Sequence, residues 1–168
     1  MINSKVEAAI NNQINAEFWS AYFYLSMSNY FSSIGLAGFA NWMNVQFEEE
    51  VFHARRFMTY LNERGGRVIL KPIDEVQTSW EGPLNVFEET LSHEEKVTGL
   101  INELMDIAIK ESDHATKSFL QWFIDEQVEE EAGVSEILDH LRLINGEGQG
   151  LFLMDKELKT RVFTPPVV

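Results

Sequence analysis

The sequence predicts an all-α fold: four long helices in a bundle, one long crossover between the second and third, and a short fifth helix at the C-terminus. Three observations carry this. Proline occurs only at positions 72, 83, 165 and 166, so two long stretches run without a helix breaker. Apolar residues recur at three- and four-residue intervals along both stretches. No alternating segment flanked by turn residues suggests a strand bundle.

The first helix opens at Ser4, read as its cap, with Glu7 three positions on as a capping box. Its apolar face runs Val6, Ile10, Ile14, Ala21, Tyr24, Leu25. Gly35 and Gly38 mark a turn, and a second face follows in Phe39, Met43, Phe47, Ala54, Phe57, Leu61. Gly65-Gly66 reads as the C-cap of that helix. An irregular stretch, about 66 to 82, contains Pro72 and Gly82. Pro83 suits the first turn of a third helix carrying Leu84, Phe87, Leu91, Ile101, Leu104 and Ala108. Asp113 caps a fourth with Phe119, Phe123, Ile137 and Leu141, which ends in NGEGQG, Asn145 to Gly150. The short amphipathic piece LFLMDKEL precedes a TPPVV tail.

Connection lengths set the topology. The short first and third connections join antiparallel neighbours. A helix of about 30 residues is about 45 Å long, and a linker of about 16 residues can extend to about 50 Å. The middle connection can therefore travel the length of the bundle and leave helices two and three parallel. Residues 1–168 are expected to form a single domain, with the bundle over about 4–145 and the fifth helix over about 150–161.

Composition narrows the function. The 168 residues suffice for one substantial core, and 45 % are hydrophobic. A net charge of −14 argues against a nucleic-acid partner and towards cations. Without cysteine there are no disulfides or thiolate metal sites, which leaves His and carboxylates as ligands. The start, MINSKVEAAINNQ, lacks the pattern of a signal peptide, and no segment has membrane-spanning length, so the expected location is cytoplasmic with no membrane contact.

Chemistry enters where charges fall on the apolar stripes. Glu17 lies three after Ile14 and four before Ala21. Glu50 is seven from both Met43 and Phe57, with His53 three further on. Glu94 follows Leu91 by three, Gln127 follows Phe123 by four, and Glu130 precedes Ile137 by seven. A lone Glu at such a position is ordinarily a boundary residue whose head reaches water. The same explanation invoked on every helix, at matching heights, is much weaker. Desolvation costs several kcal/mol per buried ion, which over four carboxylates rivals a net stability of about 5–15 kcal/mol. One histidine cannot compensate them, whereas divalent cations can. Carboxylate and imidazole suit iron, manganese or zinc, and Glu50 and His53 at i, i+3 can bind the same ion. The pattern points to a two-metal site in the bundle core.

The motifs NAEFWSAYFY around Glu17, QFEEEVFHARRF, SHEEK around Glu94, FLQWFIDEQVEEE and the late GLFLMDKEL together resemble the ferritins, and among them the bacterial non-haem type, over nearly the whole chain. The resemblance implies a ferritin-like bundle with a ferroxidase centre, where two Fe(II) ions are oxidised by dioxygen or hydrogen peroxide. It further implies a homo-oligomeric shell of 24 subunits that stores ferric mineral. By position, Glu17 and Glu50 with His53 form the first iron site, Glu50 also bridging, while Glu94, Gln127 and Glu130 serve the second. A third iron position is implied at Glu49, Glu126, Glu129 and Glu130. Glu49 and Glu129 lie beside the stripe and fit a solvated acidic face equally well. Tyr24 takes the place of a redox-active tyrosine, though core packing with a bonded hydroxyl also accounts for it. Trp122 is a candidate to share electrons with the site. His93, His114 and His140 lack a ligand-spaced partner and are expected to be surface or capping residues.

The match has departures. Helix four has Gln127-x-x-Glu130 where a symmetric di-iron pattern has Glu-x-x-His, which implies a weaker, more labile second site and suits storage better than a permanent cofactor. That, with Phe52 in place of a haem-ligating methionine, implies no haem. Absence of cysteine argues against a rubrerythrin, and the fifth helix with ligands inside one bundle argues against the dodecameric DNA-protecting relatives. Lys117 and Leu120 stand near where channel acids would be expected, so the iron entry route stays open. Two alternatives remain: a small di-iron oxidase or peroxidase without storage, which lacks a large shell, and a metal-free helical interaction protein, which binds no divalent ion.

Overall fold

The computed structural model describes residues 2–166. The helices are α1 (Ser4–Ser33), α2 (Ala37–Glu63), α3 (Pro83–Lys110), α4 (His114–Leu143) and α5 (Gly148–Leu158). No strand occurs among the described residues.

The helix ends follow from local chemistry, with two corrections. The cap of α1 is Asn3, not Ser4: its side chain accepts from the Lys5 amide at 2.8 Å. Glu7 is thereby free of the capping box and instead accepts the Arg67 backbone amide at 2.7 Å. Asn11 continues this side-chain ladder, donating to the Arg67 carbonyl at 3.0 Å and accepting from the Ile69 amide at 2.7 Å. Side chains of α1 thus satisfy backbone groups of the crossover that have no sheet or helix partner. Gly38 is the second correction. The turn before α2 is made at Gly35, whose φ is +82°, while Gly38 lies inside α2 against α5. A Cβ there would fall 1.6 Å from the Asp155 carbonyl oxygen. Asp155 also caps α2, its carboxylate accepting the amides of Gly38 (2.7 Å) and Phe39 (3.1 Å). The expected glycine C-cap at Gly65-Gly66, Pro83 in the first turn of α3, and the Asp113 cap of α4, bonded to the Thr116 amide, are all present.

Two apolar clusters fill the bundle. One gathers Tyr24, Met27, Phe31, Phe39, Met43, Phe87, Val134 and Leu138. The other gathers Val6, Ile10, Ile14, Phe57, Leu61, Ile101, Leu120 and Phe123. Along α2 and α3 the chain passes from the first cluster to the second, and along α1 and α4 from the second to the first. Helices α2 and α3 are therefore parallel, as the connection lengths predict.

The stripes differ in detail from those expected. On α4, Val134 and Leu138 are buried while Ile137 is half-buried, because successive steps of four from Glu130 track the core. On α3, Leu84 and Leu91 lie at the edge while Val86, Thr90, Val97 and Met105 fill the interior. Leu120 is wholly buried and Lys117 exposed. The fifth helix begins at Gly148 and buries no residue completely.

Candidate metal centre

Between the two apolar clusters lies a polar belt, one turn thick on each helix. Glu17, Glu50, His53, Glu94, Gln127 and Glu130 are all buried, none more than 9 % exposed. Ligand atoms of Glu17, Glu50 and His53 all lie within 4.8 Å of one another, and those of His53, Glu126 and Glu130 do likewise. His53 sits at the junction of the two groups. Its Nδ1 is 3.5 Å from Oε2 of Glu50, the meeting of side chains one helical turn apart.

Three of the four inner carboxylates, those of Glu17, Glu94 and Glu130, are held by a neighbouring donor. Gln13 donates to Glu17 Oε1 at 2.8 Å, and Gln46 donates to Glu130 Oε2 at 2.9 Å. The Tyr24 hydroxyl donates to Glu94 Oε1, while Gln127 reaches Glu94 Oε2 at 3.2 Å and the Glu94 carbonyl at 3.3 Å. Against this, Oε2 of Glu17 and Oε2 of Glu50 are buried with no hydrogen-bond partner. Such orphaned oxygens are costly in a folded core unless a proton or a cation satisfies them.

The electrostatics agree. Burial first, then the Glu50 charge, holds the Glu17 carboxyl well above the usual carboxylate range. Burial and the Glu94 charge do the same to Glu50. Burial, with the Glu130 charge second, pushes Glu94 up to about 8. Burial and the Glu94 charge also raise the Tyr24 phenol. Without metal, Glu17, Glu50 and Glu94 therefore favour their protonated forms, and a cation binding to them must displace those protons.

The outer acids behave differently. Glu48 is exposed, Glu49 half-buried and Glu50 buried, so one turn of α2 sweeps from water to core. Glu126 is half-buried and Glu129 exposed. Burial raises Glu126, and burial opposed by Arg161 carries Glu49 up to about 7. Glu49, Glu126, Glu129 and Glu130 line a cavity of about 400 Å³ between α2, α4 and α5. Glu126 belongs as much to the His53 group as to this cavity, whereas Glu129 joins neither ligand group.

Among the aromatics, Trp122 packs edge-to-face on His53, ring centroids 5.5 Å apart, with the Arg56 guanidinium 4.0 Å above the indole. Phe52 lies beside both Trp122 and His53. His93 differs from expectation: it is half-buried beside Trp19, Phe23 and Tyr24, with Nε2 2.8 Å from the Ser20 hydroxyl. Burial, with Lys96 nearby, lowers it to about 4, so its ring is neutral. His114 and His140 are exposed. Gln13, Gln46 and Arg161 were not singled out from sequence. Gln13 stands four before Glu17 and Gln46 four before Glu50, a spacing that could have found them.

Residues 7–144 match the family model described as Ferritin-like domain. The chain belongs to the ferritin family. The bacterial non-heme ferritin of Bacteroides fragilis is 45 % identical over 161 residues, 96 % of this chain and all of the relative. That of Staphylococcus saprophyticus is 39 % identical, covering 97 % of this chain and 98 % of the relative. Among solved structures, an engineered closed form of the Archaeoglobus fulgidus ferritin superposes with a TM-score of 0.96 at 50 % identity, covering 98 % of this chain and all of that one. The open-pore ferritin of the same archaeon gives 0.95 at 49 %, covering 96 % of this chain and all of that one. One-crossover bundles with carboxylate sites between facing helices are characteristic of ferritin-like proteins, and the parallel α2 and α3 with a central polar belt have that form. No helix among the described residues is long and apolar enough to cross a membrane.

Proposed function

We propose that this ferritin-family chain oxidises Fe(II) at the central belt and stores the ferric product inside a hollow shell of 24 copies in the cytoplasm, residues 1–168 acting as one domain. The observation that carries this is the pair of buried, unpartnered carboxylate oxygens of Glu17 and Glu50 in a group whose ligand atoms converge within 4.8 Å on His53. Oxygen and imidazole donors fit iron as substrate.

Glu17, Glu50 and His53 hold the first ion, with Glu50 bridging; Glu94, Gln127 and Glu130 hold the second. Glu49, Glu126, Glu129 and Glu130 hold a third. Hard, anionic carboxylate oxygens favour Fe(III) over Fe(II), which assists the oxidation. Each Fe(II) gives up one electron. Dioxygen takes two electrons and two protons to become hydrogen peroxide, or hydrogen peroxide takes two of each to become water. Gln13 and Gln46 orient Glu17 and Glu130, and Tyr24 holds Glu94 while standing ready to supply an electron. The neutral amide of Gln127, in place of a charged or imidazole ligand, weakens the second site and lets its ion leave for the store.

The test is anaerobic Fe(II) loading followed by air, with particle size and iron content measured on the same sample. Rapid oxidation to a soluble ferric product in a large shell is expected. Oxidation at the wild-type rate by Glu50→Ala/His53→Ala would place the chemistry elsewhere, and a dimer-sized particle would favour an oxidase without storage.

A further inference from the structure

The cavity beside the belt holds a cation of its own. Its wall carries six glutamates (Glu49, Glu126, Glu129, Glu130, Glu136 and Glu157), and Arg161 is the one Lys or Arg among the lining residues. Arg161 Nη2 lies 2.6 Å from Glu49 Oε2, with both side chains largely shielded from water. Its Nη1 donates to the Trp42 carbonyl at 3.3 Å, and the guanidinium stacks 4.5 Å from the Trp42 ring centroid. The backbone is pinned as well. The Asn41 amide donates to the carbonyls of Leu158 (3.2 Å), Lys159 (3.4 Å) and Arg161 (2.9 Å). The charged fork, the ring face and the chain behind it are all engaged, so this is a placed cation rather than a chance surface pair.

We propose that Arg161 is a built-in counter-cation for the third metal position: it occupies Glu49 in the metal-free chain and has to release that carboxylate for a divalent ion to bind there. The inference rests on the third position described under the proposed function. A guanidinium and a divalent ion in contact with the same carboxylate repel each other strongly in a partly buried setting. The two occupants therefore compete. The competition also links the third position to the C-terminal segment, because the chain that carries Arg161 is clamped on α2 through Asn41 and Asp155. The acidic cavity keeps a compensating charge while empty, and metal enters it only at concentrations that overcome Arg161.

Calorimetric titration of the assembled, metal-free protein with Zn(II), a redox-inert probe, tests this. Arg161→Gln removes the charge and keeps a polar side chain, and is expected to tighten the outermost Zn(II) site about tenfold while leaving the inner two unchanged. Arg161→Lys keeps the charge without the fork or the ring contact, and should titrate between wild type and Arg161→Gln. An outer ion that appears only in Arg161→Gln supports the proposal equally. An outer site that is unchanged or weaker in Arg161→Gln, yet lost in Glu126→Gln, overturns the role of Arg161 and leaves the third position standing. If neither wild type nor Arg161→Gln binds an outer ion, the third position fails and the proposal fails with it.

Discussion

Gln46 donates its side-chain amide to Oε2 of Glu130 at 2.9 Å, joining α2 to α4 across 84 residues of chain at a buried point of the core. The same residue leaves its own Oε1 without a partner. A buried amide oxygen without a partner is costly, which makes Gln46 a candidate for a role beyond packing.

Replacing it tests that role. Gln46→Leu is expected to keep the fold and to weaken metal binding at the Glu130 position by about 10–100-fold. Zn(II) titration of the metal-free protein reads this directly, and unchanged affinity would make Gln46 a packing residue only.

Burial of Glu50 beside other carboxylates opposes folding unless metal is present. Glu50→Gln keeps the shape and removes the ionisable group, so the metal-free variant is expected to be more stable by about 1–3 kcal/mol. Its iron oxidation should fall by about 100-fold or more, in line with loss of a metal ligand. Thermal unfolding and a ferroxidation time course on the same preparation check the two halves. Lower stability together with retained activity would contradict both.

Stability without metal should also fall as pH rises. Glu49 and Glu94 are raised to about 7 and about 8, well above the ordinary carboxylate range. Between about 4.5 and 8 the native state therefore binds more protons than the unfolded chain, and the sign of the linkage makes stability decline across that window. Stability is fully present below the unfolded values and lost as pH passes through 7 and 8. Zn(II), which replaces protons, should flatten the profile. Melting temperatures of metal-free and Zn(II)-loaded protein from pH 5 to pH 9 (about the range in which these groups titrate) measure it, and a metal-free profile that rises with pH would refute the proton inventory.

Gly38 should tolerate no side chain. A Cβ there would overlap the Asp155 carbonyl, 1.6 Å away, in backbone that cannot swing aside as a side chain does. Gly38→Ala is expected to cost about 1–3 kcal/mol or more and to free the C-terminal segment, which carries Arg161, for proteolysis. Wild-type protection of that segment would show that α5 docks by another route.

Much of the fold was legible because its signals are local. Pro83, Asp113 and Gly65 act within a turn of their own positions, and each does what its chemistry predicts. The inward carboxylates were legible for the same reason, since spacing from Ile14, Met43 and Phe123 is a property of one helix at a time. The misses came where one residue of rotation or one neighbouring side chain decides. Asn3 and Ser4 are equally good caps, and the choice left Glu7 free to bind the crossover. Ile137 and Val134 are both apolar, and only the rotation of α4 against its neighbours selects Val134 for the core. His93 stands next to Glu94 on α3, yet its surroundings are the rings of Trp19, Phe23 and Tyr24 on α1.

By itself the sequence determined that this chain makes four long helices with one crossover, and that each turns acid or amide side chains inward at mid-height. Those facts depend on backbone geometry that repeats every 3.6 residues. The tertiary structure alone decided which partner each of these side chains acquires. Tyr24 meets Glu94 across 70 positions, Gln46 meets Glu130 across 84, and Arg161 meets Glu49 across 112. Such contacts depend on how the helices rotate and slide against one another, which packing of the two apolar clusters sets.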